Sequence, residues 1–253
     1  MITIDIPQDT PAGRYSIVPV VTTPAPIPNP PIKPLGPGDI VVDLSRHNQV
    51  KDLFPKLKAA GVRGVILRAT MGATGVDEKF VEYFELAEQS AFDFVGAYHL
   101  FLKESPWKDQ ANNFLNTLST RHLSYPHTVD FEPRAGEVVT STAQVRANFK
   151  PLLYELQDRI PFKPIVYTNG SSINRFMFGK ETWLSQYPLH TAQYTTALRA
   201  LIPSPWYESG VSWFAWQYDN GSESWSDRFD LAGLEDVPLD KNRYSGLPFA
   251  TKE

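Results

Sequence analysis

From Gly38 onward one pattern repeats: a short run apolar on both faces, then a stretch with apolar residues at helical spacing. Asp39-Ile40-Val41-Val42-Asp43-Leu44, Gly64-Val65-Ile66-Leu67-Arg68-Ala69, Phe94-Val95-Gly96-Ala97-Tyr98-His99, Val129-Asp130-Phe131-Glu132-Pro133 and Pro164-Ile165-Val166-Tyr167-Thr168 are the strand-like runs. Leu53, Phe54, Leu57 and Ala60 mark the first helical face, with Gly61 placed to cap its end. Asp77 is placed to start the helix carrying Phe80, Val81, Phe84 and Ala87, and Trp107 to Leu118 forms the next. Ser141 and Gln144 make a capping box before Val145, Phe149, Leu152, Leu156 and Ile160. Strands apolar on both faces, separated by amphipathic helices, require a parallel sheet covered on both sides. Beyond Thr168 the helices shrink, and short strands follow around Thr191–Tyr194 and Trp213–Tyr218. About eight strands of this kind close into an α/β barrel, irregular in its helix-poor last third.

A chain of 253 residues, 42% hydrophobic, can bury the core of such a barrel as one domain. The formal charge of -4 argues against a nucleic-acid partner, which calls for a basic face. With no cysteine there is no disulfide framework, zinc-thiolate site or thiol nucleophile. No apolar run reaches the length needed to span a bilayer, and no basic segment followed by an apolar one marks a secretory signal.

Residues 1–37 are of another kind and hold ten of the 22 prolines. The run from Thr23 to Pro34 is expected to be extended, polyproline-like chain, a semi-rigid spacer without a core. Ile2-Thr3-Ile4-Asp5-Ile6 alternates like a strand, and Tyr15 to Val21 could form another. A lone strand at a chain end suits β-augmentation, so this arm is a candidate docking segment for a partner or neighbouring subunit. The catalytic candidates all fall in the barrel, residues 38–253.

Polar and aromatic groups recur at the C-terminal ends of the strands: Asp43, Tyr98 with His99, Asp130 with Glu132, Tyr167 and Tyr194. Barrel enzymes assemble their sites on that face. Asp130 and Glu132 are the most telling members. Alternation along a strand points both carboxylates the same way, roughly 7 Å apart at Cα. Two carboxylates crowded at the end of an apolar strand repel each other and lose hydration, which makes them candidates for acid/base work.

These segments, with Val76-Asp77-Glu78-Lys79-Phe80, Ala192-Gln193-Tyr194 and Trp216-Gln217-Tyr218, closely resemble glycoside hydrolase family 25, the Chalaropsis-type lysozymes of phages and bacteria. The likeness runs in order over about residues 38–247 and leaves out the arm. It implies a TIM-like barrel of five β/α units followed by β-strands. It also implies hydrolysis of the β-1,4 bond between N-acetylmuramic acid and N-acetylglucosamine in peptidoglycan glycan strands. No cofactor or metal is implied.

By this resemblance Glu132 is the general acid, later the base, and Asp130 the ionised partner. Mutual repulsion raises the pKa of one carboxyl of a close pair, so the two can divide these roles at neutral pH. Retention of configuration is expected, through either an aspartyl intermediate or the substrate's own acetamido group. Asp43 corresponds to a first-strand acid in the site floor, and Tyr98, Tyr167 and Tyr194 to aromatic positions of the sugar groove. His99 is expected to be a hydrogen-bonded core histidine. Asp240-Lys241-Asn242-Arg243-Tyr244-Ser245-Gly246 reproduces the family's closing motif, so Asp240 is preferred to Asp230 as the last acid. Met71 departs from the resemblance, standing where an acid is usual, and the segment from Tyr218 to Asp240 is longer than usual. A phage lysin is the expected setting, held in the virion or the host cytoplasm before holin-dependent release and acting at the bacterial cell wall. The alternatives are a non-catalytic wall-binding or structural barrel, which the intact acidic pair disfavours, and a metal-dependent hydrolase, for which dense His/Asp ligand spacing is lacking.

Overall fold

The structure, a computed structural model, describes residues 36–248 except 49–51, 120, 122, 124, 135, 138–140, 196–199, 221–230, 232–233 and 235–236. Nearly all of the proline-rich arm, Asp230 and much of the stretch between Tyr218 and Asp240 therefore lie outside the described residues.

In chain order the elements are β1 (Ile40–Leu44), α1 (Leu53–Ala59), β2 (Gly64–Met71), the two-residue β3 (Gly75–Val76), α2 (Phe80–Gln89), β4 (Phe94–Leu100) and α3 (Trp107–Leu118). There follow β5 (Thr128–Asp130), α4 (Thr142–Arg159), β6 (Ile165–Thr168), α5 (Gly170–Arg175), a 3-10 turn (Thr182–Gln186), β7 (Leu189–Ala192), α6 (Ser204–Glu208), β8 (Ala215–Asn220) and β9 (Asp240–Tyr244). The nine-stranded sheet closes on itself because β1 pairs with both β2 and β9, while β3 is a short hairpin on β2 outside the ring. Seven ring strands are parallel, and β9 runs antiparallel to both of its neighbours. This is the expected irregular TIM-like barrel, with full helices after the early strands and only short ones after β6. Among the described residues no helix is long and apolar enough to cross a membrane.

Local sequence explains the boundaries. α1 ends in a Schellman motif: the Gly61 amide donates to the Lys58 carbonyl and the Val62 amide to that of Leu57, with Gly61 at φ 87°. The N-cap half of the capping box forms, as Ser141 Oγ accepts from the Gln144 amide at 3.3 Å. Asp77 plays a different part from the one expected. α2 starts at Phe80, and the buried Asp77 carboxylate accepts from the Lys79 and Arg46 amides and from Arg68 Nε, so it braces two loops and a strand. The last strands are displaced from the aromatic runs: β7 covers Leu189–Ala192 and β8 begins at Ala215. Ladder pairing sets them, since Val166 must meet Leu189 and His190 must meet Ala215.

Two cores result. Between strands and helices lies the larger one, in which Phe131 stacks on Phe149 of α4 at 3.8 Å and on Phe176 at 4.5 Å. Such ring pairs add about 0.5–1.5 kcal/mol each beyond area burial. Inside the barrel, at the end where the strands begin, Val41, Ile66, Phe94, Tyr125, Ile165, Phe214 and Tyr244 form a plug. Tyr125 crosses so close to β4 that a Cβ on Gly96 would sit 2.8 Å from its ring. Above the plug the interior turns polar.

Candidate active site

The anchoring of Phe131 decides where its neighbours point. Because this ring is locked outward into the helix layer, Asp130 and Glu132 on either side turn inward toward the barrel mouth. The backbone there is held by the Phe131 amide donating to the Tyr167 carbonyl at 2.8 Å and the Phe101 amide to the Asp130 carbonyl at 3.0 Å. Both carboxylates line a cavity of about 240 Å³ at the C-terminal ends of the strands. Asp43, Asp240, Tyr98, Tyr167 and Tyr194 line it as well, so all seven residues singled out from the sequence meet in one place.

Side chains of the closing strands organise this cavity. Gln217 Nε2 donates to Asp43 Oδ2 at 2.9 Å, while its Oε1 accepts from the Tyr167 hydroxyl at 2.8 Å and the Tyr194 hydroxyl at 2.6 Å. Asn242 Nδ2 donates to the same Asp43 oxygen at 2.9 Å, and its Oδ1 meets His190 Nε2 at 2.6 Å. Asn169 caps α5 through Oδ1, accepting from the Ser172 amide at 2.8 Å, and turns its Nδ2 to Glu132 Oε1. Sequence reasoning did not single out Gln217, Asn169 or His190 for the site. For Asn169 a signal existed: an N-cap residue immediately after a strand of the catalytic face is held at the mouth. Gln217, which entered only as part of the family-like run Trp216-Gln217-Tyr218, lines the cavity.

Burial and mutual charge govern the acids. Desolvation, with the charge of Asp43, pushes the Glu132 carboxyl up to about 7, although the Asn169 hydrogen bond pulls the other way. Asp130 is raised well above its ordinary value by burial and by the charges of Glu132 and Asp43, with Arg68 opposing. Asp240 is pushed up to about 9 by burial and by its hydrogen-bonded neighbour Asp43, which itself rises to about 6. Protons are therefore shared within this set at neutral pH, as a site that must give one away requires. His99 lies elsewhere, buried behind β4, with Nδ1 2.7 Å from Thr70 Oγ1 and Nε2 3.1 Å from Gln110 Oε1; burial lowers it to about 4. It is the core histidine expected. Among the described residues no group of three or more His, Cys, Asp or Glu is arranged to hold a metal ion.

A closed barrel, parallel but for its last strand, with proton-sharing carboxylates and tyrosine rings around a cavity at its C-terminal mouth has the architecture of a glycoside hydrolase. The sequence pattern of glycosyl hydrolases family 25 matches residues 42–225. The chain belongs to that family. It is 26% identical over 209 residues to the uncharacterized protein YegX of Escherichia coli O6:H1 (strain CFT073), covering 81% of this chain and 69% of YegX. An autolytic lysozyme of Clostridium acetobutylicum is 25% identical over 137 residues, 53% of this chain and 41% of that one. A family 25 glycosyl hydrolase from Bacillus anthracis shares the fold with a TM-score of 0.68 at 20% identity, over 83% of this chain and 90% of that one.

Proposed function

We propose that this glycoside hydrolase is a peptidoglycan N-acetylmuramidase, cleaving the β-1,4 bond between N-acetylmuramic acid and N-acetylglucosamine with retention. The observation that carries the reading is the paired inward carboxylates, Asp130 and Glu132, on the wall of a cavity that also holds Asp43, Asp240 and three tyrosines. In this reading Glu132, whose carboxyl keeps a proton near neutrality, protonates the leaving glycosidic oxygen and later takes a proton from water. Asp130 is the ionised partner beside the anomeric carbon. Asp43 and Asp240 form the floor, and the rings of Tyr98, Tyr167 and Tyr194 offer flat apolar faces to the sugar. Gln217 ties two of those tyrosines to Asp43, so floor and wall keep one geometry.

We further propose that residues 38–253 are the catalytic barrel and residues 1–37 a docking arm, in a phage lysin acting at the bacterial wall as a free endolysin or a virion component. The point of attachment supports this division. Gly38, the first residue of the barrel, donates to the Tyr244 carbonyl at the end where β1 starts, opposite the cavity.

Digestion of purified peptidoglycan followed by borohydride reduction tests the activity. New muramitol ends from the wild type, and none from Glu132→Gln, are expected; glucosaminitol ends would mean a glucosaminidase. Retention stands or falls on the anomer formed first, read by NMR before mutarotation.

A further inference from the structure

Among the described residues, Arg68 is the one arginine or lysine whose charge lowers the pKa of a site carboxyl, that of Asp130. It lies on β2 two residues beyond the cavity-lining Ile66, on the same face, in register with Tyr98 of β4. Tyr98 is in turn in register with Thr128, two residues before Asp130 on β5. The ladder slips between Arg68 and Thr70, which turns Thr70 to its bond with His99 in the helix layer and leaves Arg68 on the cavity side.

The guanidinium is fixed by one edge only. Nε donates to Asp77 Oδ2 at 2.7 Å, and Asp77, 1% exposed in its side chain, is itself held by the amides of Arg46 at 3.1 Å and Lys79 at 3.0 Å. The terminal amino groups of Arg68 have no hydrogen-bond partner among the described residues. Asp130 offers the complement, a buried Oδ1 that also lacks a partner.

Asp130 shares the cavity wall with Asp43 from β1, Tyr98 from β4, Glu132 beyond β5 and Tyr167 from β6, while Arg68 stands on β2 one inward position beyond Ile66, outside the lining, from where its charge acts on Asp130. His190 and Tyr194 come from the β7 side and Asp240 from β9. His190 is kept neutral by burial, so Arg68 is the one cation of this set among the described residues.

We propose that Arg68, clamped by Asp77, is a positioning residue that decides which member of the acidic pair carries the charge, favouring the anion on Asp130 and leaving the proton to Glu132. Burial and two neighbouring carboxylates drive Asp130 toward protonation, and the guanidinium opposes them. An arginine suits this task because it stays charged at every relevant pH and its planar fork can be fixed at one edge while the other stays free. This inference rests on the muramidase reading above.

The test is kcat and KM against pH on purified peptidoglycan, for full-length wild type, Arg68→Met, Arg68→Lys and Asp77→Asn. Losing the cation raises the Asp130 carboxyl, so the acid limb of kcat should move to higher pH in Arg68→Met. At the wild-type optimum kcat should fall about tenfold or more, with KM little changed. Arg68→Lys should recover most of the loss, and Asp77→Asn should shift the limb part of the way. An unmoved limb in folded Arg68→Met overturns the proposal, as does a rise in KM at constant kcat, which would make Arg68 a handle for a substrate anion. Should Arg68→Met fail to fold, an unmoved limb in Asp77→Asn is equally fatal. A wild type without activity on peptidoglycan would refute the muramidase reading instead.

Discussion

The two ends of this barrel treat polar groups in opposite ways. At the end where the strands begin, the Tyr125 and Tyr244 hydroxyls bond each other inside an apolar plug, and Arg63 is shared between Asp39 at 2.7 Å and Asp93 at 2.5 Å. At the mouth, four carboxylates crowd one small cavity, and the buried polar atoms Thr128 Oγ1, Asp130 Oδ1 and His190 Nδ1 have no partner among the described residues. Burying charge without compensation is costly, and leaving a buried acceptor unmade costs about 1–3 kcal/mol. One end is built to hold the fold together. The other retains unfavourable electrostatics that make sense only if the groups act on something.

Substitutions can break this contrast. The largest effect is expected from Asp130→Asn, which should cut turnover on peptidoglycan about 10²–10⁴-fold with the fold intact by circular dichroism. Asp240→Asn should also lower turnover, and by much more than Asp230→Asn; equal losses would show that the closing motif has been misplaced.

The same Asp240→Asn change should raise stability at neutral pH, because it removes a carboxyl that must take up a proton to be buried. The sign follows from linkage. A carboxyl raised from 3.8 to about 9 in the folded state binds more protons folded than unfolded, so its contribution is fully present below pH 3.8 and is lost as pH rises toward 9. The variant's advantage in Tm should therefore grow across that window and vanish below it, at about 2–4 °C per kcal/mol relieved. A smaller effect belongs to the opposite end. Arg63→Met should cost about 1 kcal/mol or less in thermal unfolding, since its side chain is 29% exposed and solvent screens both pairs. It should leave kcat unchanged.

The sequence disclosed the contrast only in part. The run of buried strands and helical faces identified the barrel, and the acids at strand ends identified its mouth. Asp43 and Asp240 lie nearly two hundred residues apart in the chain yet meet because β9 closes the ring antiparallel to β1, pairing the two directly. That meeting was legible only through the resemblance to a family motif. Gln217 and Asn169 were not legible as site residues, because amides beside a strand end are just as often structural. The edges of β7 and β8 were missed because aromatic content attracted the assignment while ladder register decided it. Asp77 looked like a helix cap because its local pattern is that of one; its tie to Arg68 depends on a strand nine residues earlier.

The most direct test of the division between the two ends sets Glu132→Gln beside Tyr125→Phe, with turnover on purified peptidoglycan and Tm measured on the same preparations at pH 7. Glu132→Gln should lose about 10²–10⁴-fold in turnover while its Tm holds or rises. Tyr125→Phe, which orphans the Tyr244 hydroxyl, should lose about 1–3 kcal/mol of stability and keep its turnover. A Glu132→Gln protein that still cleaves the glycan, or one whose inactivity comes with a collapse in Tm, would contradict the account.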